Sequence, residues 1–291
     1  MVDDQRNQSG EQLSLSDIAA NEGLKAAFWR PLHLPMSAWL EHIPFAFWLM
    51  SQHRPRVVVE LGAHYGASYF AFCQAAEALA LDTRCYAVDT WQGDEHAGSY
   101  GEDVYALVSQ RNQQLYSQFS SLIRATFDDT VSYFPDSSID LLHIDGFHTE
   151  AEVRKDVETW MPKLSDRAVL LLHDTNVRER NFGVAKVLAE LRERYPVFDF
   201  AHGHGLGVVG VGKNLSPGLD DLFAADANAS SRRDIMTFFA RLGRACADAR
   251  GAANPAPASR ESSRGQEFSV PILVDRFRSM IVGWSPTKKG G

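Results

Sequence analysis

The chain has 291 residues, 45% of them hydrophobic, enough for one full α/β domain and an appendage. Its formal net charge of -8 speaks against a nucleic-acid backbone as the main partner, and no apolar run approaches the length of a membrane span. Cys73, Cys85 and Cys246 show neither metal nor redox spacing and read as reduced thiols, and Met1 to Gly10 hold no apolar leader core, so a cytoplasmic protein is expected.

Residues 1–35 read as a polar tail and a lead-in segment. The large apolar residues that begin with Phe28 and Trp29 and run on through Trp39, Phe45 and Trp48 predict a helix broken near Pro44. That block serves as core cover, as a flap over a ligand pocket, or as both. Val57, Val58 and Val59 then predict a strand buried on both faces and ending at Glu60. Gly62 and Gly66 bracket a turn, and a helix follows from Ala67. Strand, glycine turn and helix make the first half of a nucleotide-binding βαβ unit. The spacing, however, is E-x-G-x-x-x-G and not the G-x-G-x-x-G that cradles a pyrophosphate. A carboxylate at Glu60 suits a ligand with ammonium or hydroxyl groups better than a phosphate. Taken alone, the stretch is equally an ordinary strand-to-helix turn.

Arg84–Asp89 reads as a second strand, closed by an acid of the kind that accepts from ribose hydroxyls. Thr90–Gly101 is a long loop, dense in aromatic and ionisable groups. Leu122–Thr126 predicts a third strand, and Ser138–Asp145 a fourth. After the turn Gly146-Phe147-His148, Thr149 and Glu152 form a capping box for a helix that Pro162 ends. Arg167–Asp174 is a fifth strand. A helix from Gly183 carries Val184, Val187, Leu188 and Leu191 at helical spacing. Val197–Ala201 and Leu206–Val211 are joined by His202-Gly203-His204-Gly205, a hairpin-type connection. The expected fold is α/β: a doubly wound, Rossmann-like, seven-stranded sheet, mostly parallel with an antiparallel terminal strand and helices on both faces. Its domain spans residues 36–213. Residues 214–291 read as a turn-rich linker over Asn214–Asp226, a short helix over Arg232–Arg250 and a largely disordered tail, either solvated or docked to a partner.

Glu60, Asp89, Asp145 and Asp174 thus close four strands. In an open parallel sheet ligands bind outside the carboxyl ends of the strands, so these acids converge on one crevice. Their mutual repulsion calls for a cation or a hydroxyl-rich ligand.

The first motif, Val57-Val58-Val59-Glu60-Leu61-Gly62-Ala63-His64-Tyr65-Gly66, the acid Asp89 and the terminal hairpin resemble class I S-adenosylmethionine-dependent methyltransferases. The blocks Val88 to Gly98, Ile144 to Thr149 and Leu172 to Thr175 are similar to the branch containing antibiotic-sugar and polysaccharide O-methyltransferases, some of which work beside glycosyltransferases. The resemblance covers about residues 36–213. It implies S-adenosylmethionine as cofactor and O-methylation of a sugar hydroxyl in glycan, polysaccharide or secondary-metabolite biosynthesis. It also implies that Gly62, Ala63, His64, Tyr65, Gly66 and Ser68 pass under the methionine part, with Glu60 near its amino group. Asp89, with Thr90 and Trp91, takes the ribose; Thr126 and Phe127 border the adenine; Asp145 belongs to both the cofactor and the reacting end. Relatives hold Mg²⁺ through an acid after the fourth strand and an acidic pair after the fifth. Asp145 and Asp174 match these positions. Thr175 stands where relatives have Asp or Asn, so a metal here needs water, His148 or the substrate to complete its shell.

A sugar hydroxyl must lose its proton on methylation, and His148 is the first choice as general base, followed by His173 and His143. His143 lies within a buried strand and reads as a hydrogen-bonded core histidine before a catalytic one. His96 is a substrate-contact candidate, His202 and His204 serve the hairpin, and Arg178, Glu179 and Arg180 bind acceptor groups or form an exposed ionic cluster. Two further readings stand beside this one: a nicotinamide oxidoreductase, and a non-catalytic partner of a glycosyltransferase that retains the fold. The partners expected are a small-molecule or glycan acceptor, a glycosyltransferase and a second copy of the chain.

Overall fold

The run Val57-Val58-Val59 forms strand β1 (Val57–Leu61), and its residues alternate between two hydrophobic clusters, Val58 on one face of the sheet and Val59 and Leu61 on the other. The computed structural model describes residues 21–94, 98–99, 101–179 and 181–253. The N-terminal tail, Glu95, His96, Ala97, Tyr100, Arg180 and the tail from residue 254 lie outside the described residues. β1 is an interior strand of the seven-stranded sheet, paired on both sides. Helix α1 (Ile43–His53) precedes it, with Pro44 in its first turn, where the missing N–H costs nothing. The proline therefore opens this helix instead of breaking one.

After β1 come helix α2 (Ala67–Ala78), strand β2 (Arg84–Asp89), helix α3 (Glu102–Leu115) and strand β3 (Ser120–Arg124). Strand β4 (Ile139–Ile144), helix α4 (Glu150–Trp160), strand β5 (Leu164–His173) and helix α5 (Val184–Arg192) follow. Strands β6 (Val197–Phe200) and β7 (Leu206–Gly210) close the sheet. The order is β3-β2-β1-β4-β5-β7-β6. β1 to β5 run parallel, and β7 is antiparallel to both β5 and β6, so the last strand inserts between its neighbours. This is the seven-stranded, mostly parallel sheet expected from the sequence.

Three local expectations change. β1 runs to Leu61, which pairs with Val88 and Ile144, so Glu60 lies inside the strand and not at its end. The third strand sits two residues earlier than its hydropathy suggests, because Thr126 is drawn out as an N-cap whose side chain accepts from Asp129 N. The expected linker after Asn214 contains a helix, α6 (Pro217–Asp226), which buries Leu219 and Leu222. It leads into helix α7 (Ala229–Ala253), longer than predicted. α7 crosses the 3-10 turn Ala38–His42 closely: a Cβ on Gly243 would lie 2.0 Å from the Glu41 carbonyl oxygen. The sheet is thus covered on one face by α1, α2 and α7 and on the other by α4 and α5. No helix among the described residues is long and apolar enough to cross a membrane.

Thr149 caps α4 as predicted: its Oγ1 accepts from Glu152 N, and it donates to the Glu152 carboxylate. The buried face of α4 carries Val153, Val157 and Trp160, and also Asp156. Burial pushes the Asp156 carboxyl up from 3.8 to about 7; Lys155 opposes the rise, and Asp128 and Glu152 add to it. The folded chain therefore keeps a proton that the unfolded chain releases, so stability is full at low pH and falls as pH rises from about 4 to about 7. The loss is on the order of 2–4 kcal/mol. Asp156→Asn should melt higher than wild type at about pH 8 and lose that advantage near pH 4; parallel pH profiles for the two proteins would refute the assignment.

Candidate active site

The carboxyl ends of β1, β2, β4 and β5 open onto one cavity of about 360 Å³. Its first wall is the turn after β1. Gly62 has φ +91, and a Cβ there would lie 2.1 Å from the Asp145 carbonyl oxygen, so the turn after β1 presses directly on the turn after β4. Asp89 staples the glycine turn: one carboxylate oxygen accepts from Ala63 N and His64 N, both at 2.9 Å, and the other from Trp91 N at 2.7 Å. A carboxylate has about four lone-pair positions, so three backbone bonds leave acceptor capacity toward the cavity that Asp89 lines. His64, Thr90, Thr126 and Phe127 line the same wall.

Other residues singled out in the sequence lie outside that lining. Trp91 is fully buried on Tyr105 and donates through its indole N–H to the His64 carbonyl. Ala63 is buried, Gly66 caps α2 against Phe70, and Tyr65 faces a second hollow beside His33 and Arg111. Glu60 and Ser68 sit beneath the turn, in the core. Glu60 accepts from Ser68 Oγ at 2.9 Å and pairs with His143 Nδ1 at 2.9 Å. The indole of Trp39 can only donate, and it meets His143 Nε2 at 3.1 Å. Both nitrogens of His143 are therefore engaged, Nε2 by the Trp39 indole and Nδ1 by Glu60. Burial pushes the Glu60 carboxyl up, against the pull of His143 and Ser68. This places His143 as a core histidine.

The second wall is a carboxylate–imidazole cluster. Asp145 and Asp174 directly follow β4 and β5, neighbours in the sheet, and the turn Gly146–His148 folds back over them. His148 Nε2 lies 2.8 Å from Asp174 Oδ2 and 3.6 Å from Asp145 Oδ1. His173 Nδ1 lies 3.1 Å from Asp145 Oδ1 and 3.6 Å from Asp174 Oδ1. His173 Nε2 donates to the Gly203 carbonyl at 2.9 Å, which fixes the ring. His204 Nδ1 approaches Asp174 Oδ1 at 3.1 Å from the hairpin turn. Burial alone would lower the pKa of His148, but Asp145 and Asp174 outweigh it and hold the ring at about 9. The same balance raises His173 well above its ordinary value. Burial would raise both carboxyls, yet the two imidazoles keep Asp145 and Asp174 below the usual carboxylate range. The cluster balances two negative charges against two positive ones.

The sequence singled out Asp145, His148, His173 and Asp174, and the fold brings all four to one wall. It did not point to Phe182, whose ring stacks on His148 at 4.5 Å and 9°, nor to Met36, Ser37 and Ala38, which form the lip of the cavity. Phe182 follows a polar loop and carries no periodic signal. The lip belongs to the aromatic block, which is both core cover, through Trp39, and pocket edge. Arg178 donates to the Thr175 carbonyl within its own turn.

A hard Mg²⁺ site needs mainly oxygen donors in near-ideal octahedral geometry. Here the protein offers two carboxylates and two imidazoles, and the Thr175 side chain lies against Gly205, where a Cβ would be 2.6 Å from its Oγ1. The donor set does not fit Mg²⁺.

Residues 59–175 match a family described as a methyltransferase domain. The uncharacterized protein y4gI of Sinorhizobium fredii is 50% identical over 209 residues, 72% of this chain; the chain spans 23% of that relative's length. Among solved structures, the O-methyltransferase TomG of Streptomyces achromogenes in complex with S-adenosylmethionine is 13% identical, with 66% of this chain and 90% of that one covered and a TM-score of 0.44. The S-adenosylhomocysteine-bound methyltransferase PaMTH1 of Podospora anserina is 15% identical, with 69% and 98% covered and a TM-score of 0.44.

Proposed function

We propose that this chain, whose residues 59–175 match a methyltransferase domain family, is a class I enzyme that transfers the methyl group of S-adenosylmethionine to a hydroxyl oxygen of a sugar or glycan. One observation carries the reading: a glycine turn stapled by Asp89 and a carboxylate–imidazole wall face a single cavity. The first suits the zwitterionic, ribose-bearing cofactor. Gly62 lets the backbone approach it, Asp89 offers acceptor capacity to the ribose hydroxyls, and Thr126 and Phe127 border the base. The second suits an acceptor rich in hydroxyls.

The methyl group moves by in-line displacement from sulfonium to oxygen, so holding the two in line supplies much of the rate. The acceptor oxygen loses its proton as the new bond forms, and the cluster of Asp145, His148, His173 and Asp174 stands where that proton leaves. Placement in the cytoplasm beside a glycosyltransferase is part of the same proposal; the buried free thiols Cys73, Cys85 and Cys246 suit a reducing compartment.

Calorimetry separates this from the oxidoreductase reading. S-adenosylmethionine should bind and NAD should not; binding of NAD alone would overturn the proposal. Labelled methyl transfer to a glycan pool, if absent under every acceptor while the cofactor binds, would favour the non-catalytic partner.

A further inference from the structure

Beside the glycine turn lies a second hollow, of about 370 Å³, between residues 33–35 and α3. We propose that it is a binding site for an amphiphilic anion, a sugar acid joined to an apolar chain. Its role as the distal subsite of the acceptor rests on the methyl-transfer reading; the site itself does not.

The charge of the hollow comes from Arg111. Its guanidinium donates to the Leu32 carbonyl at 3.3 Å and forms no ion pair among the described residues, and no acid among them lines the hollow. A guanidinium holds its donors in a planar fork that matches a carboxylate in bidentate fashion, so most of this fork is left for a ligand. His33 adds no charge. Its Nε2 donates to the Tyr65 carbonyl at 2.8 Å. Burial holds the imidazole down at about 4; the bond to Tyr65 opposes the fall and the nearby Arg111 adds to it. On a chain of net charge -8 the hollow is a local positive spot.

Apolar surface surrounds that charge. Leu107 and Leu115 stand one helical turn to either side of Arg111 on α3, and all three line the hollow. Leu107 is 59% exposed and Leu115 45%, and Leu32, whose carbonyl Arg111 holds, is 59% exposed. Single exposed leucines are ordinary, but several gathered around one guanidinium make a patch that is apolar at its rim and cationic at its centre. An amphiphilic anion satisfies both. The amide of Gln114 and the phenol of Tyr65 add neutral hydrogen-bonding groups suited to sugar hydroxyls.

The hollow and the cavity at the strand ends share a wall. His33 and Pro35 line the hollow, and Met36, Ser37 and Ala38, next along the chain, line the cavity. His64 lines the cavity and Tyr65 the hollow, and their ring centroids are 4.4 Å apart. Consecutive residues lie about 3.8 Å apart, so a single elongated acceptor spans the wall, with its reacting hydroxyl in the cavity and its acidic sugar in the hollow.

The test titrates the full chain by calorimetry with octyl β-D-glucuronide and with its neutral counterpart octyl β-D-glucoside, both below micelle formation. We expect the glucuronide to bind about tenfold or more tightly than the glucoside. Arg111→Gln should remove that preference, Arg111→Lys should keep part of it, and Leu107→Asp should weaken both glycosides. Equal affinity for the two would leave a bare apolar patch and overturn the site. No binding of either, a preference that survives Arg111→Gln, or undiminished binding in Leu107→Asp would overturn it as well. The wild-type comparison of the two glycosides decides the matter if a variant fails to fold. Calorimetry with S-adenosylmethionine on the same sample reports separately on the methyl-transfer reading: cofactor binding without a glucuronide preference sinks the hollow alone, and the reverse sinks only its role as an acceptor subsite.

Discussion

Gly62→Ala should abolish S-adenosylmethionine binding and cost the fold on the order of 3 kcal/mol. Two effects add. At φ +91 any L side chain is strained, and the new Cβ would sit 2.1 Å from a backbone oxygen, that of Asp145, which cannot swing aside as a flexible side chain would. Relief requires the turns after β1 and β4 to separate. They are tied by the bond from Asp145 N to the Leu61 carbonyl at 2.8 Å, while Gly62 N is held to β2 by the Val88 carbonyl at 2.9 Å. Separating them shifts both cavity walls at once, so cofactor affinity and melting temperature should fall together. Wild-type melting with lost binding would mean that the turn adapts and that only the ligand is excluded. Wild-type values for both would refute the placement of the cofactor here.

The second large effect is at Asp174. Asp174→Asn should lower turnover by about 10²- to 10⁴-fold while leaving S-adenosylmethionine affinity nearly unchanged. The substitution is chosen for its backbone. Asp174 has φ +60, a region that Asn enters as readily as Asp, so the main chain is undisturbed. What changes is charge. His148 and His204 lose the carboxylate that they face at 2.8 and 3.1 Å, and the cluster loses one of its two negative groups. Asp174 lies on the wall away from the Gly62 turn and Asp89, so the effect should appear in kcat and not in cofactor binding. A loss of cofactor affinity as large as the loss of turnover would place Asp174 on the donor side instead.

How much of this was legible beforehand differs between wall and core. Val57–Val59, Leu141–Leu142 and Ala168–Leu172 announce buried strands because a parallel strand covered on both faces must be apolar on both. Acids that follow such strands stand at a ligand edge by topology alone. Asp89, Asp145 and Asp174 could therefore be placed at the cavity from the order of the elements.

Glu60 could not. It looked like a fourth member of that edge, but β1 extends one residue further to pair Leu61 with Val88 and Ile144. The period of two then turns Glu60 toward Ser68, and His143 and Trp39 complete its surroundings from strand β4 and the 3-10 turn. A buried carboxylate is tolerable only with such partners, and they come from distant parts of the chain. The same holds for the helix Pro217–Asp226: its polar, turn-rich composition reads as linker, and it is helical because Leu219 and Leu222 find cover.

By itself, then, the sequence determined the order of strands and helices, the carboxyl edge at which a ligand would sit and the residue types waiting there. It did so because apolar period and turn chemistry are local. Only the tertiary structure decided that Asp145, His148, His173 and Asp174 approach within 2.8 to 3.6 Å, that Phe182 stacks on His148 and that Glu60 withdraws into the core. Those distances follow from sheet register, from the backbone contact at Gly62 and from the hairpin carbonyl at Gly203, none of which any single segment encodes.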